Sequence, residues 1–113
     1  MKCGIDVVDI KRFENPSQHF LQRVFTAEEI GYALSKGIPS QTFAGIFAAK
    51  EAFLKAVGVG IFGGIAFTDI TVSHNINGRP FLILSDTVGI SSDCVDISIS
   101  HTDETAVAMC VIV

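Results

Sequence analysis

Positive charge is scarce in this chain. Eight Lys and Arg stand against twelve Asp and Glu, giving a formal charge of −4 and a pI near 5.1. Binding to a phosphate backbone is driven by clustered Lys and Arg, so this balance argues against nucleic acid as the main ligand. The local exception is residues 1–24, where Lys2, Lys11, Arg12 and Arg23 outnumber Asp6, Asp9 and Glu14 and leave +1, against −5 in the remainder. Cysteine is also sparse: Cys3, Cys94 and Cys110 are odd in number, have no C-x-x-C spacing and sit in apolar runs. They are expected to be buried, reduced thiols of a cytoplasmic protein. No apolar run approaches the length that crosses a bilayer, and Asp6 and Asp9 come too early for a signal-peptide core, so no membrane partner is expected. No serine lies in G-x-S-x-G and no cysteine is paired with a histidine at a recognisable spacing, which leaves covalent catalysis without support. Repeats, linkers and low-complexity tracts are lacking as well.

What is present is apolar. Of 113 residues, 49% are hydrophobic and 18% charged, with mean hydropathy +0.49. One domain spanning 1–113 is expected, and part of its surplus apolar surface is expected to be covered in an oligomer.

The organising stretch is 41–57, seventeen residues without proline, dense in Ala, Leu, Lys and Glu, with one internal glycine and Gly58 at its end. It predicts one long helix. Phe43, Ile46, Phe47, Phe53, Leu54 and Val57 form an apolar stripe suited to lying on a sheet. Glu51 and Lys55 are one turn apart, about 6 Å along the axis, with Ala44, Ala48 and Ala52 on the same side leaving room for something to approach. A solvated i,i+4 ion pair is the plain alternative. Lys50, about 100° around the helix from Glu51, points elsewhere and reads as structural or solvated.

Residues 2–8 predict a short strand rich in β-branched residues, interrupted by Asp6. A carboxylate inside a buried strand is costly unless it is paired, solvated or holding a metal. Asp9 is placed to cap a helix reaching about residue 15, and Thr26 with Glu29 forms a capping-box pattern opening a helix to about residue 36, which Gly37 and Pro39 close. Glycines 58, 60, 63 and 64 make a loop too loose for a P-loop or a dinucleotide fingerprint, although glycine-exposed N–H groups can cradle phosphate oxygens. Residues 67–74 and 80–84 predict a hairpin turning at Asn77-Gly78, residues 86–91 a short connector, and residues 95–101 and 106–113 a second hairpin.

Asp6, Glu51 and Lys55 are therefore the candidate catalytic group. Two carboxylates are few for an all-protein metal cage but suit Mg²⁺, which keeps waters and takes its other oxygens from a phosphorylated substrate. Lys55 would then meet phosphate charge. His101 ends a strand, where a lone histidine is more often a structural hydrogen-bonding residue; His19 and His74 have no motif around them.

These residues carry a resemblance. Gly4-Ile5-Asp6 with Arg12 six residues past the aspartate, Phe47-Ala48-Ala49-Lys50-Glu51-Ala52-Phe53-Leu54-Lys55-Ala56 followed by Gly58 and Gly60, Asn77-Gly78-Arg79-Pro80, and Ser98-Ile99-Ser100-His101-Thr102 occur in order along nearly the whole chain. In this the chain resembles the holo-acyl-carrier-protein synthases, the small group of 4′-phosphopantetheinyl transferases. The resemblance implies an α+β fold, a mainly antiparallel sheet packed on one long helix with shorter N-terminal helices, assembled as a homotrimer with active sites shared between neighbours. It implies transfer of the phosphopantetheine arm of coenzyme A to a serine of apo acyl carrier protein, releasing adenosine 3′,5′-bisphosphate, in fatty acid biosynthesis. It further implies Mg²⁺ held by Asp6 and Glu51, Lys55 neutralising charge beside it, and Gly58, Gly60, Pro80, His101 and Thr102 lining the nucleotide site. Glu51 or a metal-bound water would take the serine proton.

Two departures accompany the match. Ile46 stands where many relatives carry Arg, and the carrier-facing basic set is reduced to Lys11, Arg12 and Arg23, so a shallow salt dependence of carrier binding is expected. A non-catalytic, coenzyme A-binding oligomeric module is the alternative that these departures favour.

Overall fold

The computed structural model describes residues 1–58 and 64–113; Gly60 and Gly63, two glycines of the expected loop, lie outside the described residues. Strand β1 (Lys2–Asp9) leads through a 3-10 turn (Ile10–Phe13) to helices α1 (Gln18–Val24), α2 (Ala27–Leu34) and α3 (Pro39–Val57). Strands β2 (Ile70–His74), β3 (Pro80–Leu84), β4 (Val95–His101) and β5 (Thr105–Ile112) follow. The pairing is antiparallel throughout, as one sheet ordered β1-β5-β4 and one hairpin β2-β3. This is the α+β arrangement expected from the sequence.

Helix α3 is central because it is buried almost all round. Beyond the apolar stripe, Ala44, Ala48, Ala49, Ala52 and Ala56 are buried too. A helix without one wet face lies between layers. The side of Ala44, Ala48 and Ala52, expected to stay open, is filled. Part of the inward face of the three-stranded sheet is small as well, with Gly4, Ala106 and Ala108 on the helix side, and at Gly4 the strand backbone approaches that of the helix closely. Pro39 opens this helix as its first residue and does not close the one before; its ring presets the helical φ and its missing N–H would have been unpaired there anyway. At the other end Gly58 adopts φ 85° and donates its N–H to the Leu54 carbonyl at 3.0 Å.

Three other expectations change, and one helix appears that the sequence does not lead us to expect. Asp9 makes no side-chain cap; it is the last residue of β1, paired with Thr105, and the chain after it forms only the 3-10 turn. Residues 18–24 form a helix capped by the Ser17 hydroxyl, which accepts from the Phe20 N–H at 3.1 Å. Phe67–Asp69 is a 3-10 turn, so β2 begins only at Ile70. Cys3 and Cys94 are exposed. Cys110 is buried, and burial, with Asp96 adding to it, pushes its thiol up to about 11.

The Thr26 capping box is formed, and its Glu29 does more than cap. Glu29 and Lys50 are both fully buried and paired at 2.6 Å. Among the described residues no buried side-chain N or O lacks a partner.

Candidate active site

Register decides where Asp6 points. On β1, Ile5 and Val7 face outward, while Gly4, Asp6 and Val8 alternate toward α3. Gly4 has no side chain to hold the helix off, so Asp6, two residues on, reaches the last turns of α3. Its Oδ1 accepts from Lys55 Nζ at 3.0 Å, and the same ammonium donates to the Ile5 carbonyl at 3.1 Å. The Asp6 side chain is 13% exposed and that of Lys55 is 55% exposed, so the carboxylate is largely fixed while the ammonium keeps a wet side.

Glu51 lies one turn before Lys55 on α3, half-buried. Its carboxyl is held above the ordinary range by burial first and then by the negative charge of Asp6, against opposition from Lys55 and Arg12. Asp6, on a different element, thus repels the ionised Glu51, and two cations moderate that repulsion.

A cavity of about 410 Å³ opens beside Glu51. Phe20, Phe47 and Phe67 supply its apolar walls, and Arg12 and Arg23 supply charge. The guanidinium of Arg12 lies 5.3 Å from the centre of the Phe47 ring and 5.8 Å from that of Phe13, which seats it over aromatic faces at the rim. Lys11, the third basic residue, is exposed on the adjoining 3-10 turn.

Pro80 and His101 line a different cavity, of about 550 Å³, with Tyr32, Lys36, His74 and Ile46. Tyr32 and His74 stack there at 4.0 Å between ring centres, and Lys36 lies over the Tyr32 ring at 4.5 Å. Burial and the neighbouring Lys36 hold His74 below its ordinary value. Ile46 is buried, 1% exposed, at the edge of this cavity. Thr102 spends its hydroxyl inside the β4–β5 turn, accepting from the N–H groups of Glu104 and Thr105.

The 4′-phosphopantetheinyl transferase superfamily model matches residues 2–110. The chain belongs to this superfamily. It is 39% identical over 117 residues to the holo-[acyl-carrier-protein] synthase of Chloroherpeton thalassium, covering 99% of this chain and 97% of that protein. Among solved structures, a Bacillus anthracis holo-(acyl-carrier-protein) synthase in complex with CoA (3′,5′-ADP) superposes with a TM-score of 0.84 at 38% identity, over 98% of this chain and 94% of that one. A Helicobacter pylori holo-[acyl-carrier-protein] synthase in complex with coenzyme A gives a TM-score of 0.83 at 36% identity, covering 98% and 99%.

The carboxylate oxygens of Asp6 and Glu51 are hard donors of the kind that suit a divalent cation such as Mg²⁺. Their mutual repulsion is what such an ion would relieve. Among the described residues no group of three or more metal-ligating side chains occurs, so remaining ligands would be waters and substrate oxygens.

The structure pairs Asp6 with Lys55, sets Glu51 one turn earlier on α3, and puts Arg12 and Arg23, expected to face the carrier, in the cavity that Glu51 lines. Pro80 and His101 it gathers around the second cavity. Gly58 caps α3, and Gly60 lies outside the described residues. Phe20 and Phe67 had no signal in the sequence as cavity walls; Phe47 had one, its place in the helical stripe. Tyr32 and His74, far apart in the chain, had none.

Proposed function

We propose that the chain, as one domain spanning 1–113, transfers the 4′-phosphopantetheine group from coenzyme A to a serine of apo acyl carrier protein and releases adenosine 3′,5′-bisphosphate. The observation that carries this reading is the Asp6–Lys55 pair where β1 meets α3, with Glu51 one helical turn away lining an aromatic-walled cavity with two arginines. Family membership along nearly the full chain supports it.

Asp6 and Glu51 would hold Mg²⁺, which when bound supplies positive charge against the diphosphate of coenzyme A. The wet side of Lys55 faces the same charge. Phe20, Phe47 and Phe67 suit the extended pantetheine arm, since an apolar wall favours its methyl and methylene groups over water. In the reaction the serine oxygen bonds to the phosphorus that carries pantetheine, the bond from that phosphorus to the bridging oxygen breaks, and the bisphosphate departs with the electron pair. Glu51, or a water on the ion made more acidic by its charge, would accept the serine proton. Phosphoryl transfer needs little covalent help from the protein, so positioning and charge neutralisation supply most of the acceleration.

Arg12, Arg23 and Lys11 form the face offered to an acidic carrier, consistent with a role in fatty acid biosynthesis in the cytoplasm. The homotrimer belongs to the same proposal. The outer face of the three-stranded sheet leaves Ile5, Val7 and Met109 at 58%, 61% and 48% exposure, an apolar patch that a neighbour would cover. A nucleotide site shared between copies would unite the Glu51 cavity of one with the Pro80 and His101 cavity of the next.

Incubation with coenzyme A, Mg²⁺ and an apo carrier, followed by mass spectrometry, tests the function. The carrier gains the mass of one phosphopantetheine with the wild type and none with Asp6→Ala or Glu51→Ala, both of which keep the native circular dichroism. A wild type that binds coenzyme A without modifying any carrier would establish the non-catalytic module instead.

A further inference from the structure

Lys50 takes no part in the chemistry above, yet it is the buried cation of α3. Its ammonium makes three bonds: to Glu29 Oε1 at 2.6 Å, to the Val24 carbonyl at 2.7 Å and to the Phe67 carbonyl at 3.0 Å. An ammonium has three protons, so its donor capacity is exhausted. Glu29 is used as fully. Its Oε1 also accepts from the Thr26 N–H at 2.8 Å, and its Oε2 accepts from the Val72 N–H at 2.7 Å. Both side chains are 0% exposed.

Stability alone gives a weak reason for such a pair, since apolar residues of similar volume often serve a core as well or better. What the pair holds gives a stronger one. Val24 ends α1 and Phe67 lies in the 3-10 turn before β2, and both line the Glu51 cavity. So do Phe47 and Glu51, three residues before Lys50 and one after it on α3. Three walls of that cavity, far apart in sequence, meet at one nitrogen. Through Glu29 the same nitrogen is tied to the start of α2 and to β2.

We infer that Lys50, braced by Glu29, is a positioning residue that holds the α1, α3 and Phe67 walls at one spacing and so sets the affinity of the cavity for coenzyme A. This rests on the reading that the cavity takes the pantetheine arm. A wall-positioning residue acts on binding more than on the bond-making step, which separates it from Asp6, Glu51 and Lys55.

The test is Lys50→Met, assayed well below its unfolding temperature with native near-UV circular dichroism as the entry condition. The KM for coenzyme A rises about tenfold while kcat stays within about threefold of wild type. An unchanged KM in the folded variant overturns the inference, as does a loss confined to kcat. Where Lys50→Met does not fold, Glu29→Gln, which keeps an acceptor oxygen and removes the charge, raises KM in the same direction by about threefold; no change there also overturns it. Hydrogen exchange gives a readout independent of the ligand. Amides of 18–25 and 66–70 exchange faster in Lys50→Met relative to those of β1 and β5, and a uniform change or none overturns the positioning role. A wild type that neither binds nor consumes coenzyme A, with the exchange pattern as described, overturns the proposed function and leaves the wall-tying role standing.

Discussion

Gly4 on β1 lies so close to Ala52 on α3 that a methyl group on the glycine would overlap the Ala52 carbonyl oxygen, and it would stand 2.7 Å from the Ala56 nitrogen. Both obstacles are helix backbone, which cannot swing aside as a side chain would. The contact sets the distance from the strand to the helix, and with it the 3.0 Å reach from Lys55 to Asp6. Gly4→Ala is therefore expected to push β1 off α3, lowering stability by about 1–3 kcal/mol or more. Thermal unfolding reads the loss. Calorimetry of coenzyme A binding with and without Mg²⁺ reads the separation of Asp6 from Glu51, as a weakened Mg²⁺ effect in the variant still folded at low temperature.

Glu51→Gln is expected to stabilise the metal-free protein at neutral pH while abolishing transfer. A carboxyl held above its unfolded value binds its proton more tightly in the folded state, so its ionised form weakens folding as pH rises through the raised value. Below the ordinary carboxylate value of 4.5 both states are protonated and the difference disappears. Unfolding followed at about pH 7 and about pH 4 checks this: Tm rises by a few degrees at the higher pH and is unchanged at the lower. Equal Tm values at neutral pH would remove the repulsion argument.

Helix α3 was legible in the sequence because composition, periodicity and the terminal glycine agreed over its whole length. Its start was misread by two residues, since a proline after a glycine marks equally well the end of one helix and the first residue of the next. Helix α1, seven residues long, is too short for periodicity to declare itself. Lys50 shows where sequence reading stops. Its helical position said that it does not point with Glu51, but the partner that neutralises it lies on α2 and the carbonyls it ties lie on α1 and before β2. No local spacing encodes that meeting. Ala52 read as open space for the related reason that β1, whose Gly4 lies against it, is about fifty residues away in the chain.

Lys55→Ala is expected to weaken coenzyme A binding by about tenfold, the loss of one charge-assisted contact to the diphosphate. It also removes one of the two cations that restrain Glu51, so in the metal-free variant the Glu51 carboxyl titrates higher than in the wild type. Calorimetry measures the first effect and carboxyl carbon NMR the second. Unchanged affinity would take Lys55 out of the site.

The separation of the two cavities leads to a test of assembly. Glu51 belongs to one and His101 to the other, and a single chain carries both on different faces of α3. If a working site takes Glu51 from one copy and His101 from its neighbour, Glu51→Ala and His101→Ala chains are each impaired alone but complement each other when unfolded together and refolded. In randomly mixed rings about a quarter of the sites receive both intact residues, so transfer recovers toward about that share of wild type. Met109→Glu should abolish the recovery by placing a charge on the apolar sheet face and releasing monomers, which sedimentation detects. Recovery that never exceeds the activity of the less impaired parent would mean that each protomer completes its own site.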